Sequence, residues 1–116
     1  MDMLTIPQRQ TLAGFVGAAE GEQGISIDEI ETGTTVVVRT AHSTYHLIIL
    51  SRTERTVLVS GGAFPEVTPV VLQGATIGGN LVRTGWIGIG LRLELTDRES
   101  RVVTSRVRSI DLIHNS

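Results

Sequence analysis

The chain has 116 residues, a net charge of −2 and no cysteine. Its length suits one domain that buries a core without metal or disulfide staples, and the missing cysteine excludes disulfides, thiolate zinc sites and cysteine nucleophiles. The charge balance argues against strong non-specific nucleic-acid binding, and the aromatic residues, Phe15, Tyr45, Phe64 and Trp86, are few for a single-strand binder built on stacking.

Residues 1–24 are expected to form a short helical or flexible segment, with residues 25–116 as a single β-barrel domain. Leu12, Phe15, Val16 and Ala19 follow one helical stripe, with Thr5 as an N-cap candidate and Pro7 in the first turn. Gly14 and Gly17 each cost such a helix about 1 kcal/mol relative to alanine. No apolar run follows a basic start, and none approaches the ~20 residues of a membrane span. Neither a signal peptide nor a membrane partner is therefore expected, and the expected location is the cytoplasm.

From Gly24 the period changes to two. "ISIDEIE" alternates weakly. "TTVVVRT" (34–40) and "STYHLIIL" (43–50) have hairpin spacing, and "RTVLVS" (55–60) follows a polar turn. "GGAFPEVTP" reads as a loop because it holds two glycines and two prolines. "VVLQGA" (70–75), "TIGGNLVRT" (76–84), "GWIGIGLRLEL" (85–95) and "RVVTSRVRSIDLI" (101–113) complete the series. The expected fold is all-β: a small antiparallel β-barrel or barrel-like sandwich of six to eight short strands, with the short N-terminal helix attached. "GTTVVVRTAHSTYHLIILS" resembles, in general architecture alone, the small barrels of the SH3 and Sm-like kinds. An Sm signature of the D-x-M-N sort and an RNA-binding aromatic pair are both missing, and no family is assigned.

Alternation assigns the inward faces. Val36 and Val38 share one, as do Tyr45, Leu47 and Ile49. Ile87, Ile89, Leu91, Leu93 and Leu95 form another. In the last strand Val103 and Val107 are out of phase with Ile110 and Leu112, so a β-bulge is expected near Arg108–Ser109. Ile48 and Leu50, on the outer side of their strand, are too apolar for open solvent. Gly88 and Gly90 share a face with Trp86. Curvature, an indole lying over bare backbone, or close approach of a partner each accounts for those glycines.

Catalytic constellations are weak. His42 and His46 at i, i+4 suit zinc on a helix, but four residues of strand span about 13 Å, too far for bonds of about 2.1 Å. His114 is expected to be solvated. A triad of Ser43, His46 and Asp28 lacks the G-x-S-x-G elbow. "GATIGGNLVRTG" lacks the G-K-[ST] ending of a phosphate loop; Gly78-Gly79-Asn80 is better explained as a hairpin turn, the alternative being an anion held by the backbone amides there with Arg83 nearby. No catalytic residue, metal or cofactor is assigned.

All ten basic residues are arginine, and they gather late in the chain. Arg83, Arg92, Arg106 and Arg108 are candidates for anion binding, with salt bridges to Glu94 or Asp111 as the simpler fate of Arg106 and Arg108. Ile48, Leu50, Phe64, Trp86, Gly88 and Gly90 are candidates for an interface. The expected function is a non-enzymatic structural or protein-interaction module that self-associates as a homo-oligomer through sheet surfaces, or binds another protein. The alternatives are binding of a small anion or acidic partner through the arginines, and single-stranded nucleic-acid binding on a barrel face with Tyr45 and Trp86 as platforms.

Overall fold

Residues 8–13, 23–77 and 81–114 are described in the computed structural model of the chain, with the backbone alone for 8–13. Ten strands fall among them: β1 Gln8–Ala13, β2 Gly24–Ser26, β3 Thr35–Thr40, β4 Thr44–Ser51, β5 Thr56–Gly61, β6 Phe64–Thr76, β7 Val82–Thr84, β8 Trp86–Gly88, β9 Arg92–Thr96 and β10 Arg101–His114. The expected all-β, antiparallel architecture is what forms. Among the described residues no helix is long and apolar enough to cross a membrane.

Six strands make a ring. β3 pairs β4, β4 pairs β5, β5 pairs β6, β6 pairs β9, β9 pairs β10, and β10 returns to β3. The long strands β6 and β10 make closure possible because each serves more than two neighbours. On one side of β10, β9 pairs residues 101–106 and β1 pairs residues 109–114. On one side of β6, β5 pairs the first part and β7 pairs Gly74–Thr76. A second, two-stranded sheet of β2 and β8 sits at the ring.

Alternation places the core inside this ring. Val36, Val38, Leu47, Ile49, Leu93 and Leu95 are fully buried there. Ile27, Ile30 and Ile87 join the same cluster from the second sheet and its turn. Each such side chain contributes about 1.5–3 kcal/mol relative to exposure. Tyr45 and Phe64 close the cluster with an edge-on contact, their ring centroids 6.3 Å apart.

The expected bulge in the last strand is present. The register of β10 against β3 shifts between Val107 and Ser109, which leaves Arg108 unpaired and returns Val107, Ile110 and Leu112 to one buried face. A second shift, between Val103 and Arg106 against β9, turns Thr104 inward in place of Val103. Thr104 then serves the backbone: its Oγ1 accepts from Leu93 N at 3.0 Å and donates to Ser105 O at 2.7 Å.

Four expectations change. Gln8–Ala13, part of the segment expected to be helical, is strand β1 on β10; residues 14–22 lie outside the described residues. "ISIDEIE" gives only the short β2 before a 3-10 turn at Ile27–Glu29, because Ser26 and Glu29 form a capping box. The long stretch 85–95 breaks into β8 and β9 at Gly90, whose φ of +86° is open to glycine at little cost. "GGAFPEVTP" is mostly strand: β5 turns into β6 through Gly62 and Ala63 alone, with Gly61 opposite Phe64.

The prolines of β6 are tolerated for a simple reason. Among the described residues, 64–70 pair with β5 alone, since the β9 pairing reaches no further than Val71. No described strand pairs the other side of that segment, and a missing N–H there breaks no ladder among the described residues. Pro65 and Pro69 thus blunt an edge that would otherwise invite pairing.

The phase assignment has a direct test. Ile110→Ala is expected to cost about 2–5 kcal/mol of stability, whereas Ile48→Ala, outside the ring, is expected to stay within about 0.5 kcal/mol. Urea titration of both variants measures the contrast.

Candidate interaction surface

The outer face of β4, β5 and β6 is laid out in rows by the strand register. Ile48 of β4 faces Leu58 of β5, which faces Pro69 of β6. In the next row Leu50, displaced by a register shift, stands beside Thr56, Val71 and Thr96. Ile48 is 38 % exposed, Leu50 44 % and Val67, further along β6, 63 %. Ile48, Leu58 and Pro69, with Leu50 and Val71 in the next row, adjoin one another through this register, so they form an apolar surface and not a scatter of single residues.

A groove of about 540 Å³ opens at the end of this face, lined by Thr56, Pro69, Val70, Val71, Thr96, Asp97 and Arg98. It forms where β9 stops at Thr96 and β6 runs on beside β5. Its rim is the turn Asp97–Ser100, held by one carboxylate. Asp97 Oδ1 accepts from Glu99 N and Ser100 N, both at 2.8 Å, and from the Ser100 hydroxyl at 3.1 Å. The Glu99 and Ser100 amides, followed by the Ser100 hydroxyl, hold the Asp97 carboxyl below its ordinary value of 3.8.

Trp86 explains most of the glycine strip. A Cβ on Gly88 would stand 2.6 Å from the indole Nε1, and one on Gly24 of the paired β2 would stand 2.8 Å from indole Cζ2. The indole therefore lies across bare backbone. The Arg83 guanidinium covers the ring, its carbon 3.8 Å from the centroid, a contact worth about 0.5–1 kcal/mol at an exposed site. Gly88 is buried, and Gly90 lies in the β8–β9 turn. Phe64 is turned into the core against Tyr45. Of the six interface candidates, Ile48 and Leu50 alone stand together on one exposed face.

The four candidate arginines divide. Arg92 and Arg106 are direct partners across β9 and β10. Arg92 Nη1 donates to Thr104 O at 3.3 Å, and Arg106 Nη1 to Gly90 O at 2.8 Å. Arg108 is the bulge residue, and Arg83 is stacked on Trp86. The acids expected to meet Arg106 and Arg108 are paired elsewhere: Glu94 with Arg101 at 2.9 Å and Asp111 with Arg39 at 2.6 Å. Glu94 also raises the pKa of Arg101, by hydrogen bond first and by charge second.

The other constellations stay apart. Ser43 precedes β4, whereas the carbonyl of Asp28 accepts from Arg52, just beyond the opposite end of that strand. Eight residues of strand span about 26 Å, so Ser43, His46 and Asp28 do not assemble. His42 lies in the β3–β4 turn and His46 points outward; among the described residues no three metal-ligating side chains converge. Tyr45 is buried in the core, which removes it as a stacking platform. Gly78–Asn80 lies outside the described residues, and β6 and β7 pair antiparallel on either side of it.

The groove was missed by sequence reasoning, because Pro65 and Pro69 made β6 look like a loop. Also missed were Ile77 and Leu81, which flank the β6–β7 turn and are 72 % and 87 % exposed. Comparison of the chain with family models, curated proteins and solved structures finds no match.

Two measurements follow. Gly88→Val is expected to lift the indole from the backbone, shifting tryptophan emission to the red and raising its quenching by acrylamide. The Asp97 carboxyl is expected to titrate below 3.8, moving upward in Ser100→Ala, by NMR. A carboxylate with a depressed folded-state pKa stabilises the fold above its unfolded pKa, and this contribution fades as pH falls through the folded value. The turn therefore weakens as pH falls below the ordinary carboxylate value.

Proposed function

We propose that this chain is a non-enzymatic structural module that associates with copies of itself through the outer face of β4, β5 and β6. The observation that carries this reading is the register of Ile48, Leu58 and Pro69, with Leu50 and Val71 beside them. Apolar side chains that would be scattered on an ordinary surface are here collected into one patch. Sheet edges offer less. Pro65 and Pro69 lie where no described strand pairs the outer side of β6, and β1 occupies the side of β10 that β9 leaves open. We also take the six-strand ring to be a small antiparallel barrel, SH3-like in general architecture. Its closure through two long shared strands supports that description.

A second reading, binding of a small anion or acidic partner, is favoured by the Arg92–Arg106 juxtaposition. Two guanidinium groups on opposed residues present planar sets of donors on one face, which suit a phosphate or carboxylate.

Sedimentation of the wild-type chain at micromolar concentration is expected to give a mass above the 12.5 kDa of one chain. Ile48→Asp with Leu50→Asp is expected to return it to one chain while leaving the circular dichroism unchanged. A wild-type monomer refutes the reading. For the second reading, Arg92→Gln with Arg106→Gln should abolish binding of inorganic phosphate in calorimetry, and unchanged binding removes it.

A further inference from the structure

The groove at the end of the β4–β5–β6 face is complementary to itself. Its floor, Pro69, Val70 and Val71, is apolar, and the charged residues that line it are Asp97 and Arg98. Both are exposed. Although adjacent in the chain, they do not pair with each other. All three hydrogen bonds to Asp97 end on Oδ1; Oδ2 accepts from no described residue, and Arg98 makes no hydrogen bond or ion pair with one. The other exposed charges of the surrounding turns and strands, Arg52, Glu54, Glu66 and Glu99, lie outside the lining. A surface that fits the groove must therefore set a base against Asp97 and an acid against Arg98, beside an apolar floor. The same surface on a second copy meets both needs at once, because a two-fold axis sets residue i against residue j and j against i.

We propose that two copies of this chain join across a two-fold axis at this groove, with Arg98 of each copy on Asp97 of the other. This deepens the self-association reading above and rests on it. An arginine suits the groove along its whole length: the methylene stem covers the apolar floor, and the guanidinium reaches the open Oδ2 on the rim. The Asp97 carboxylate is already held by its turn, so it loses little freedom on meeting that partner. Pro69 and Val71 belong both to the groove and to the apolar patch of Ile48, Leu50 and Leu58, so the contact continues from one onto the other. Pro69 also lacks the N–H that an added strand would need, which favours contact between faces over strand addition.

A contact between two identical patches is isologous, so the rim of each copy fills the groove of the other and neither is left over. Such an assembly stops at two chains. It also contains the same ion pair twice, so one substitution alters both contacts.

The experiment weighs the full-length chain by sedimentation equilibrium. The wild type is expected at twice 12.5 kDa. Arg98→Glu, at an exposed position, sets acid against acid twice and is expected to weaken the dimer at least tenfold at ~0.05 M salt. Raising salt to ~0.5 M is expected to narrow the gap, because screening weakens the wild-type attraction and the variant's repulsion together. Asp97→Asn keeps Oδ1 as the acceptor of the turn but removes the charge, and it too is expected to weaken its own dimer. At a concentration where each variant alone is monomeric, the mixture is expected to give the mass of two chains. The mixed pair retains one acid–base contact, Arg98 on Asp97, and has no repulsive one. Dimerisation of Arg98→Glu as tight as that of the wild type, a mixture that stays monomeric, or a wild-type mass above two chains overturns the two-fold contact. If Arg98→Glu matches the wild type while Ile48→Asp with Leu50→Asp is monomeric, the self-association reading stands and this proposal falls. A wild-type monomer at ~100 μM, well above typical dissociation constants of specific complexes, defeats both.

Discussion

Ring closure through β9 is the constraint on which the rest of this structure depends. β9 is five residues long and is paired on both sides, to β6 and to β10. A closed set of strands has no edges along its paired length, but closure forces its members to bend. β10 bends at its two register shifts, and β6 at the shift between Leu72 and Gly74. Gly74 sits there with φ of +144°, where a Cβ would crowd the Arg83 carbonyl carbon at 2.8 Å. The bends serve packing: they bring Leu72, Leu93, Leu95, Val107 and Ile110 into one buried apolar cluster.

The same closure creates the surface features. β9 is shorter than either neighbour, so β6 runs on past Thr96 and a groove opens in the notch. β10 likewise runs on past β9, and β1 fills that second notch. One overhang is covered by β1, and the other, which no described strand covers, is blunted by prolines. The location of the candidate docking groove is thus a by-product of strand lengths, and needs no catalytic or metal-binding constellation to explain it.

Much of the ring could be read from two-residue periodicity. Val36, Val38, Tyr45, Leu47 and Ile49 point inward as their alternation required. The bulge at Arg108 was legible because the apolar phase of the last strand reverses across it. Failures came where a residue type has two physical uses. Proline marks loops, but it also sits at free strand edges, and only knowledge of the neighbouring strand separates the two. Glycine in "GWIGIG" marked curvature at Gly90 and an indole bed at Gly88, which one alternating pattern cannot distinguish. The candidate surface was half legible. Ile48 and Leu50 declared themselves by being apolar on the wrong face, whereas Leu58, Pro69 and Val71 join them only through cross-strand register.

β10 completes the ladders of three other strands, β1, β3 and β9. During synthesis, β3, β4 and β5 exist before residues 101–114 do, and they can form a meander with local contacts. That meander has β3 as a bare edge and an oily inner face until β10 arrives. The interval between making β3 and making β10 is therefore the period in which a nascent chain is most exposed to mispairing with its neighbours on the same message. Slower translation past β9 would lengthen that risk without altering a single contact in the finished fold.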